Sequence, residues 1–501
     1  MYRVRIVQAG KSESKSVQVV AQGGHQIKVF KHIGSSKTKE GILALKHEAL
    51  VWIAAHENQA FLFPEVSKPL LALPIDFSRL VNLGVKSRLI YRLYRQTILD
   101  FNFSPKLSGL IIDLVVVRLI EPSSKSQAIK LLADDYGVIH GERTMRRHLS
   151  TLSGQKTAIE TAAITYAKSR SDFDCSIIFY DVTTLYFETF ESNQEVKQCG
   201  MSKEHKNNQP QIVIGLIVTP EGFPLEFKMY QGNKAECKTL LPTIESFCQR
   251  HQIKSLTVIA DAAMISQDNV DQLVFAGHSY IVGARLANLT KKLIENISQT
   301  LNQTDQSSTR TRTGKGDLIC QFSQVRYNKD KYEAEKQLER ARANLTKPSQ
   351  SIKRLKYLSI PKTTKPTINQ KLFDKTKLLW GIKGYYTNQK QLTDQEVIEK
   401  YHNLWKIEKN FRMAKSDLQT RPIYHYQAKT IMAHLLVCFM ALCVGKHLEK
   451  TAGLSLKKLN YILRRITGVE IQDNLTNEIQ IIPQKLSTVE SEILKKLSFA
   501  Y

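Results

Sequence analysis

The stretch YHNLWKIEKNFRMAK, from Tyr401 to Lys415, constrains this chain more than any other. Wound as a helix at about 100° per residue, it sets Leu404, Ile407, Phe411, Ala414 and Leu418 on one apolar stripe. Trp405, Glu408, Arg412 and Lys415 run beside that stripe, so Glu408 stands at the edge of a buried face. Far upstream, SIIFYDVTTLYFE sets Asp181 inside a β-branched and aromatic run, and LTVIADAAMIS sets Asp261 where a short apolar run stops. Two aspartates at strand positions and one glutamate on a helix can share a pair of divalent cations.

The segments around the aspartates read as an α/β unit. SIIFYDVTTLYFE is a first strand, and PQIVIGLIVTPEGFPLEFKMY is a second and third joined at Pro220, Glu221 and Gly222. KTLLPTIESFCQRH is a helix, LTVIAD a fourth strand, QDNVDQLVFAG a helix capped by Ser266, and HSYIVGAR a fifth strand. Three strands followed by helix, strand, helix and strand is the order of the RNase H-like fold, which many phosphodiester-cutting enzymes share.

With those residues in view the chain resembles the DDE transposases of bacterial insertion sequences, in the group with a Y-x-x-R-x-x-x-E-x-x-x-x-x-x-K signature. Tyr401, Glu408 and Lys415 match it, and Leu404 occupies the arginine position. Arg412, one turn beyond Glu408, can supply a guanidinium from the same helix. The resemblance covers Asp174 to Ala441 with a variable middle. It implies an α/β RNase H-like core interrupted by a large mixed β/α insertion, since the span from Asp261 to Glu408 is too long for a simple core.

Charge fits such a protein. Among 501 residues, 72 Lys and Arg outweigh 46 Asp and Glu, a formal net charge of +26 that suits a polyanionic partner. The seven cysteines show no C-x-x-C pair and no regular spacing, which argues against zinc or a disulfide framework and for a reducing compartment. The start, MYRVRIVQAGKSES, lacks a signal-peptide core, and the apolar run from Ile431 to Val444 is too short to span a bilayer. The expected location is the bacterial cytoplasm, on the nucleoid.

In chain order, residues 1–80 read as a strand-rich module with VQVVAQ and HQIKVFKHIG as strands and GILALKHEALVWIAAHE as a helix. Residues 81–170 read as helical. In that region Ser123 or Ser124 caps KSQAIKLLADD, Tyr136 and Gly137 break it, and GERTMRRHLSTL follows. This helix pair, carrying Arg143, Arg146, Arg147 and His148, suits helix-turn-helix docking on DNA, although short helix pairs also occur in any helical domain. Residues 171–290 form the first part of the core and 291–395 the insertion, with strands in SSTRTRTGKGDLICQFSQVRY and KLLWGIKGYYTN around the helical run DKYEAEKQLERARANL. Residues 396–450 return to the core with Glu408, and 451–501 read as a helical tail.

The resemblance implies that Asp181, Asp261 and Glu408 hold two Mg²⁺ ions, with Mn²⁺ able to substitute. A two-ion site of this kind activates a water, and then a 3′ hydroxyl, for in-line attack on a phosphodiester. Tyr401, Arg412 and Lys415 are the expected phosphate contacts. Double-stranded DNA, as element ends and target, is the expected partner, and a homodimer on DNA the expected assembly. Trp405 and Trp380 read as core residues or as stacking surfaces for a flipped base. Asp174, Glu188, Asp268 and Asp271 lack the matching context and read as structural; His205, His425 and His434 lack partners at metal-ligand spacing. Two other readings stay open: a catalytically silent repressor descended from a transposase, and a structure-specific nuclease of the same fold.

Overall fold

The computed structural model describes residues 2–8, 14–23, 26–56, 80–170, 173–189, 191–192, 195–201, 208–264, 266–345, 355–359, 366–474 and 477–499. His205 lies outside them. The chain divides into two compact units, Met1–Ile90 with Asn460–Tyr501, and Tyr91–Leu459.

The first unit opens with β1 (Tyr2–Gln8), β2 (Lys15–Gly23) and β3 (Gln26–Ser36), an antiparallel sheet covered by α1 (Lys39–His56). Val4, Val17 and Val19 alternate inward and meet Ala49 and Ile53 of the helix. Next comes β4 (Leu80–Lys86), where the apolar pattern predicts helix. Its pairing partner lies in the far tail, and that antiparallel ladder decides its conformation.

α2 (Arg88–Asp100) leads into the second unit, where α3 (Gly109–Ile120), α4 (Lys125–Tyr136), α5 (Glu142–Leu152) and α6 (Lys156–Arg170) follow. Ser124 caps α4 by accepting from the Gln127 amide at 3.1 Å, and Gly137, left-handed at φ 69°, ends it. The link to α5 is pinned by buried Asp113 of α3, which accepts from His140 at 2.8 Å and Tyr91 at 2.7 Å.

The central sheet begins with β5 (Ile177–Tyr186), β6 (Gln211–Val218) and β7 (Pro224–Gln231), an antiparallel meander. α7 (Leu240–His251), β8 (Thr257–Ala260), α8 (Gln267–Phe275) and β9 (Ser279–Gly283) come next, with β8 parallel to both β5 and β9. The three central strands are apolar on both faces because helices cover both sides.

Strands of the long middle stretch extend this same sheet. After α9 (Lys291–Leu301), the hairpin β10 (Ser308–Thr313) and β11 (Gly316–Phe322) leads through α10 (Gln324–Leu345), β12 (Leu358–Ser359), β13 (Thr367–Ile368) and α11 (Gln370–Lys377) to β14 (Ile382–Thr387). The strand order is β10-β11-β14-β9-β8-β5-β6-β7, so β14 is hydrogen-bonded to β9 of the core. The expected strands here are shorter than their sequence runs: Gln324 already starts a helix, and Trp380 sits in the turn before β14, not on a strand.

α12 (Asp394–His402) starts at a Thr393–Glu396 capping box, and α13 (Trp405–Arg412) follows after a break at Asn403–Leu404. A π-helical turn, Met413–Asp417, carries Lys415. α14 (Ala428–Ala452) extends the Ile431–Val444 run to 25 residues, long and apolar enough by length to cross a membrane, which corrects the expectation from the run alone. Its apolar surface is buried inside the unit, against α3, α5 and α6. α15 (Leu456–Leu463) ends this part. The tail is not helical throughout: β15 (Gly468–Asp473) and β16 (Ile479–Pro483) form a sheet with β4 before α16 (Thr488–Lys496). Val469 and Ile471 are the β-branched residues whose strand preference a helical reading overlooks.

Candidate active site

The β5–β8 register pairs Tyr180 with Ala260, so the next residue on each chain is an aspartate, Asp181 beside Asp261. Each carboxylate is steadied by the following backbone amide: Asp181 accepts from Val182 and Asp261 from Ala262, both at 2.7 Å. Asp181 is half-buried and Asp261 exposed.

Tyr401, at the last turn of α12, donates its hydroxyl to Asp261 Oδ1 at 3.2 Å. Burial, and next the Asp261 charge, push the phenol well above the usual tyrosine range, so it stays protonated and donating. Tyr401, 5% exposed, meets the Asp261 carboxylate. Gly283 of β9 makes room for it: a Cβ there would come within 2.5 Å of the Tyr401 oxygen.

Glu408 is exposed on α13, which packs on β5. That helix is fastened to the β6–β7 turn by two side chains. Lys406 donates to the Pro220 carbonyl at 2.9 Å, and Asn410, fully buried, donates to the Gly222 carbonyl at 2.8 Å. Gly222 needs its left-handed φ of 86°, and a Cβ on it would press to 3.0 Å against Lys406. The buried stripe therefore runs through Leu404, Ile407, Asn410 and Met413, with Phe411 only half-buried where the helical spacing predicts core. Asn410→Ala is expected to cost about 1–3 kcal/mol by leaving the Gly222 carbonyl unpaired, and denaturant unfolding measures it.

Lys383 of β14 completes the surroundings. Its ammonium lies 4.8 Å from the Tyr401 ring centre, and it feels the charges of both Asp261 and Glu408. Burial and then Arg326 lower its pKa, while those two acids hold it up. Sequence reasoning missed Lys383, Asn410 and Gly283. Only the alternation of Lys383 and Tyr385 on one strand face hinted at the first.

Other sequence candidates fall elsewhere. Arg412 is exposed and Lys415 half-buried on the segment after Glu408. Arg143, Arg146 and Arg147 are exposed on α5 while Met145, Leu149 and Leu152 turn inward, and Arg146 pairs with Glu142 at 3.5 Å. Trp405 is exposed. Trp380 is buried between Tyr327 and Phe373, which removes it as a stacking surface. Asp174, Glu188, Asp268 and Asp271 accept bonds from Ser176, Gln209, Gln272 and Gln267.

Among the described residues no group of three or more His, Cys, Asp or Glu is gathered closely enough to hold a metal ion. Asp181 and Asp261, as adjacent hard oxygen donors, fit a divalent cation; Glu408 is not gathered with them in such a group.

A mixed sheet with two acids side by side at the end of its central parallel strands is an α/β scaffold on which enzymes are built. Residues 173–444 match the family described as a transposase DDE domain, and the chain belongs to that family. It is a DDE transposase, of a family that depends on divalent metal. Among solved structures, the piggyBac transposase synaptic complex with hairpin DNA is similar at 9% identity over 82% of this chain and 79% of that one, with a TM-score of 0.37. The Mos1 transposase paired-end complex with left transposon end is similar at 14% identity over 47% of this chain and 66% of that one, with a TM-score of 0.16. No curated protein matches the chain.

Proposed function

We propose that this chain binds the ends of a mobile element as double-stranded DNA, cuts a strand there and joins the freed 3′ hydroxyl to target DNA. Asp181, Asp261 and Glu408 are its catalytic acids, on an RNase H-like core. The observation that carries the reading is the β5–β8 register that sets Asp181 beside Asp261.

These three carboxylates would hold two Mg²⁺ ions, with Mn²⁺ as a substitute. Bound there, the ions supply charge for the attacking and departing oxygens of in-line displacement. The chain's own residues do the rest. Tyr401 fixes the orientation of Asp261 through its hydrogen bond. Lys383 offsets the negative charge of Asp261 and Glu408, both of which it feels. Lys406 and Asn410 hold the helix of Glu408 to the β6–β7 turn. Arg412 and Lys415 grip phosphates next to the reacting bond, and Arg143, Arg146 and Arg147 on α5 contact the duplex. Two copies working on paired ends, on the nucleoid, complete the reading.

The test is strand cleavage on a duplex carrying the flanking element end. With Mg²⁺ the full chain is expected to nick that end; with a chelator it should bind without cutting, and added Mg²⁺ or Mn²⁺ should restore the nick. Tight binding without cleavage at any metal concentration would instead establish the silent repressor.

A further inference from the structure

A second basic site lies away from the acids. A cavity of about 890 Å³ opens between α4, α5 and the segment that follows the π turn. Its wall carries Arg118, Lys125, Arg146, Arg421, His425 and His434, and among the described residues no Asp or Glu lines it. Such a wall is unusual where cations are buried, because an uncompensated charge out of water is costly.

Its two buried cations, Lys125 and Arg118, meet neutral partners. Lys125 is 8% exposed, and its ammonium sits 3.1 Å from His434 Nδ1. The other ring nitrogen of His434 donates to the Thr420 carbonyl at 2.8 Å, which leaves Nδ1 as a neutral acceptor for Lys125. Arg118 spends its guanidinium on carbonyl oxygens, of Ser123 at 2.7 Å and of Leu418 at 3.4 Å. The Ser123 hydroxyl is buried on the same wall with no hydrogen-bond partner among the described residues. Burial first, and the Arg118 charge second, push Lys125 down to about 7, and burial keeps His425 and His434 neutral. An anion in this cavity would hold the lysine proton in place.

The mouth has the other half of a nucleic-acid site. Tyr424 and Tyr426 line it and are 68% and 65% exposed. Arg421 stacks over Tyr186, the last residue of the strand that carries Asp181. Five strand steps separate those two residues, about 17 Å, the axial rise of about five base pairs of a duplex.

We propose that this cavity takes a backbone phosphate of the DNA strand that is being processed, held by Lys125, Arg421 and the Ser123 hydroxyl, with Tyr424 and Tyr426 against the adjoining nucleotide. The identity of the ligand as DNA rests on the transposase reading. The site itself rests on the buried Lys125 and Arg118 with their neutral partners and on the Ser123 hydroxyl.

The test uses the full chain and the conservative variant Lys125→Met, which keeps the volume and removes the charge. The probes are a duplex carrying the flanking element end, titrated at several salt concentrations, and inorganic phosphate in thermal unfolding. Lys125→Met should fold with an unchanged or raised midpoint, bind the duplex roughly tenfold or more weakly, and show a log–log salt slope shallower by about 0.9. The stabilisation of the wild type by phosphate should vanish. If Lys125→Met unfolds, Arg421→Gln carries the same readouts.

An intact variant with unchanged duplex affinity and slope overturns the proposal, while cleavage by the wild type leaves the transposase reading standing. Loss of the phosphate effect alone, at unchanged duplex affinity, assigns the cavity to free phosphate and overturns the DNA assignment. Weaker duplex binding by the variant, beside a wild type that never cuts, supports the site and removes the catalytic reading.

Discussion

Asp181→Asn is expected to lower strand cleavage by at least about 10²–10³-fold, the scale on which one preorganised charge-stabilising group contributes. Duplex affinity and folding should stay close to wild type. The substitution keeps the shape of the side chain, and an asparagine Oδ1 can still accept from the Val182 amide. Single-turnover cleavage beside a binding titration separates the two effects. Equal losses in binding and cleavage would mean that Asp181 supports the central sheet and not the reacting centre.

The largest effect on stability is expected from Trp380→Ala, at about 3–5 kcal/mol. Trp380 is 5% exposed and meets Tyr327 and Phe373 edge-on, with ring centroids 6.0 and 5.9 Å away. Ala334, Leu338, Ala341, Tyr357 and Leu358 close the cluster around it. Removing the indole leaves a cavity that α10 and α11 cannot fill without moving. Denaturant unfolding of the variant measures the loss. A variant of wild-type stability with weakened DNA binding would restore the base-stacking role that the sequence left open.

What the sequence revealed depended on how local the deciding interactions are. The strands that carry Asp181 and Asp261 were legible as apolar, β-branched runs, because strands buried on both faces need no partner to declare themselves. The helix caps at Ser124 and Ser266 were legible for the same reason, since each bond spans three residues. β4 was not: its ladder to β15 joins Leu80 to Asp473, and no local pattern announces a partner so distant.

The site divides in the same way. Glu408 could be found from its own helix, but the residues around the acids are assembled by sheet order. Lys383 reaches Tyr401 because β14 is added to the core sheet next to β9, and Gly283 leaves space for a phenol that arrives from another helix. Phe411 shows the limit of ideal periodicity. The stripe moves to Asn410 because that side chain has a carbonyl to meet in the β6–β7 turn. Tyr401 shows another limit, since no local pattern announces its 140-residue reach to Asp261.

The decisive reaction is the joining of a pre-cut element end, with a free 3′ hydroxyl, to a target duplex in Mg²⁺, by the wild type and by Asp181→Asn. The wild type is expected to join the end, and Asp181→Asn to bind it without joining. Joining by Asp181→Asn at the wild-type rate, or a wild type that cuts the end and never joins it, would contradict the account. The first result would move the chemistry to other residues, and the second would make the chain a nuclease.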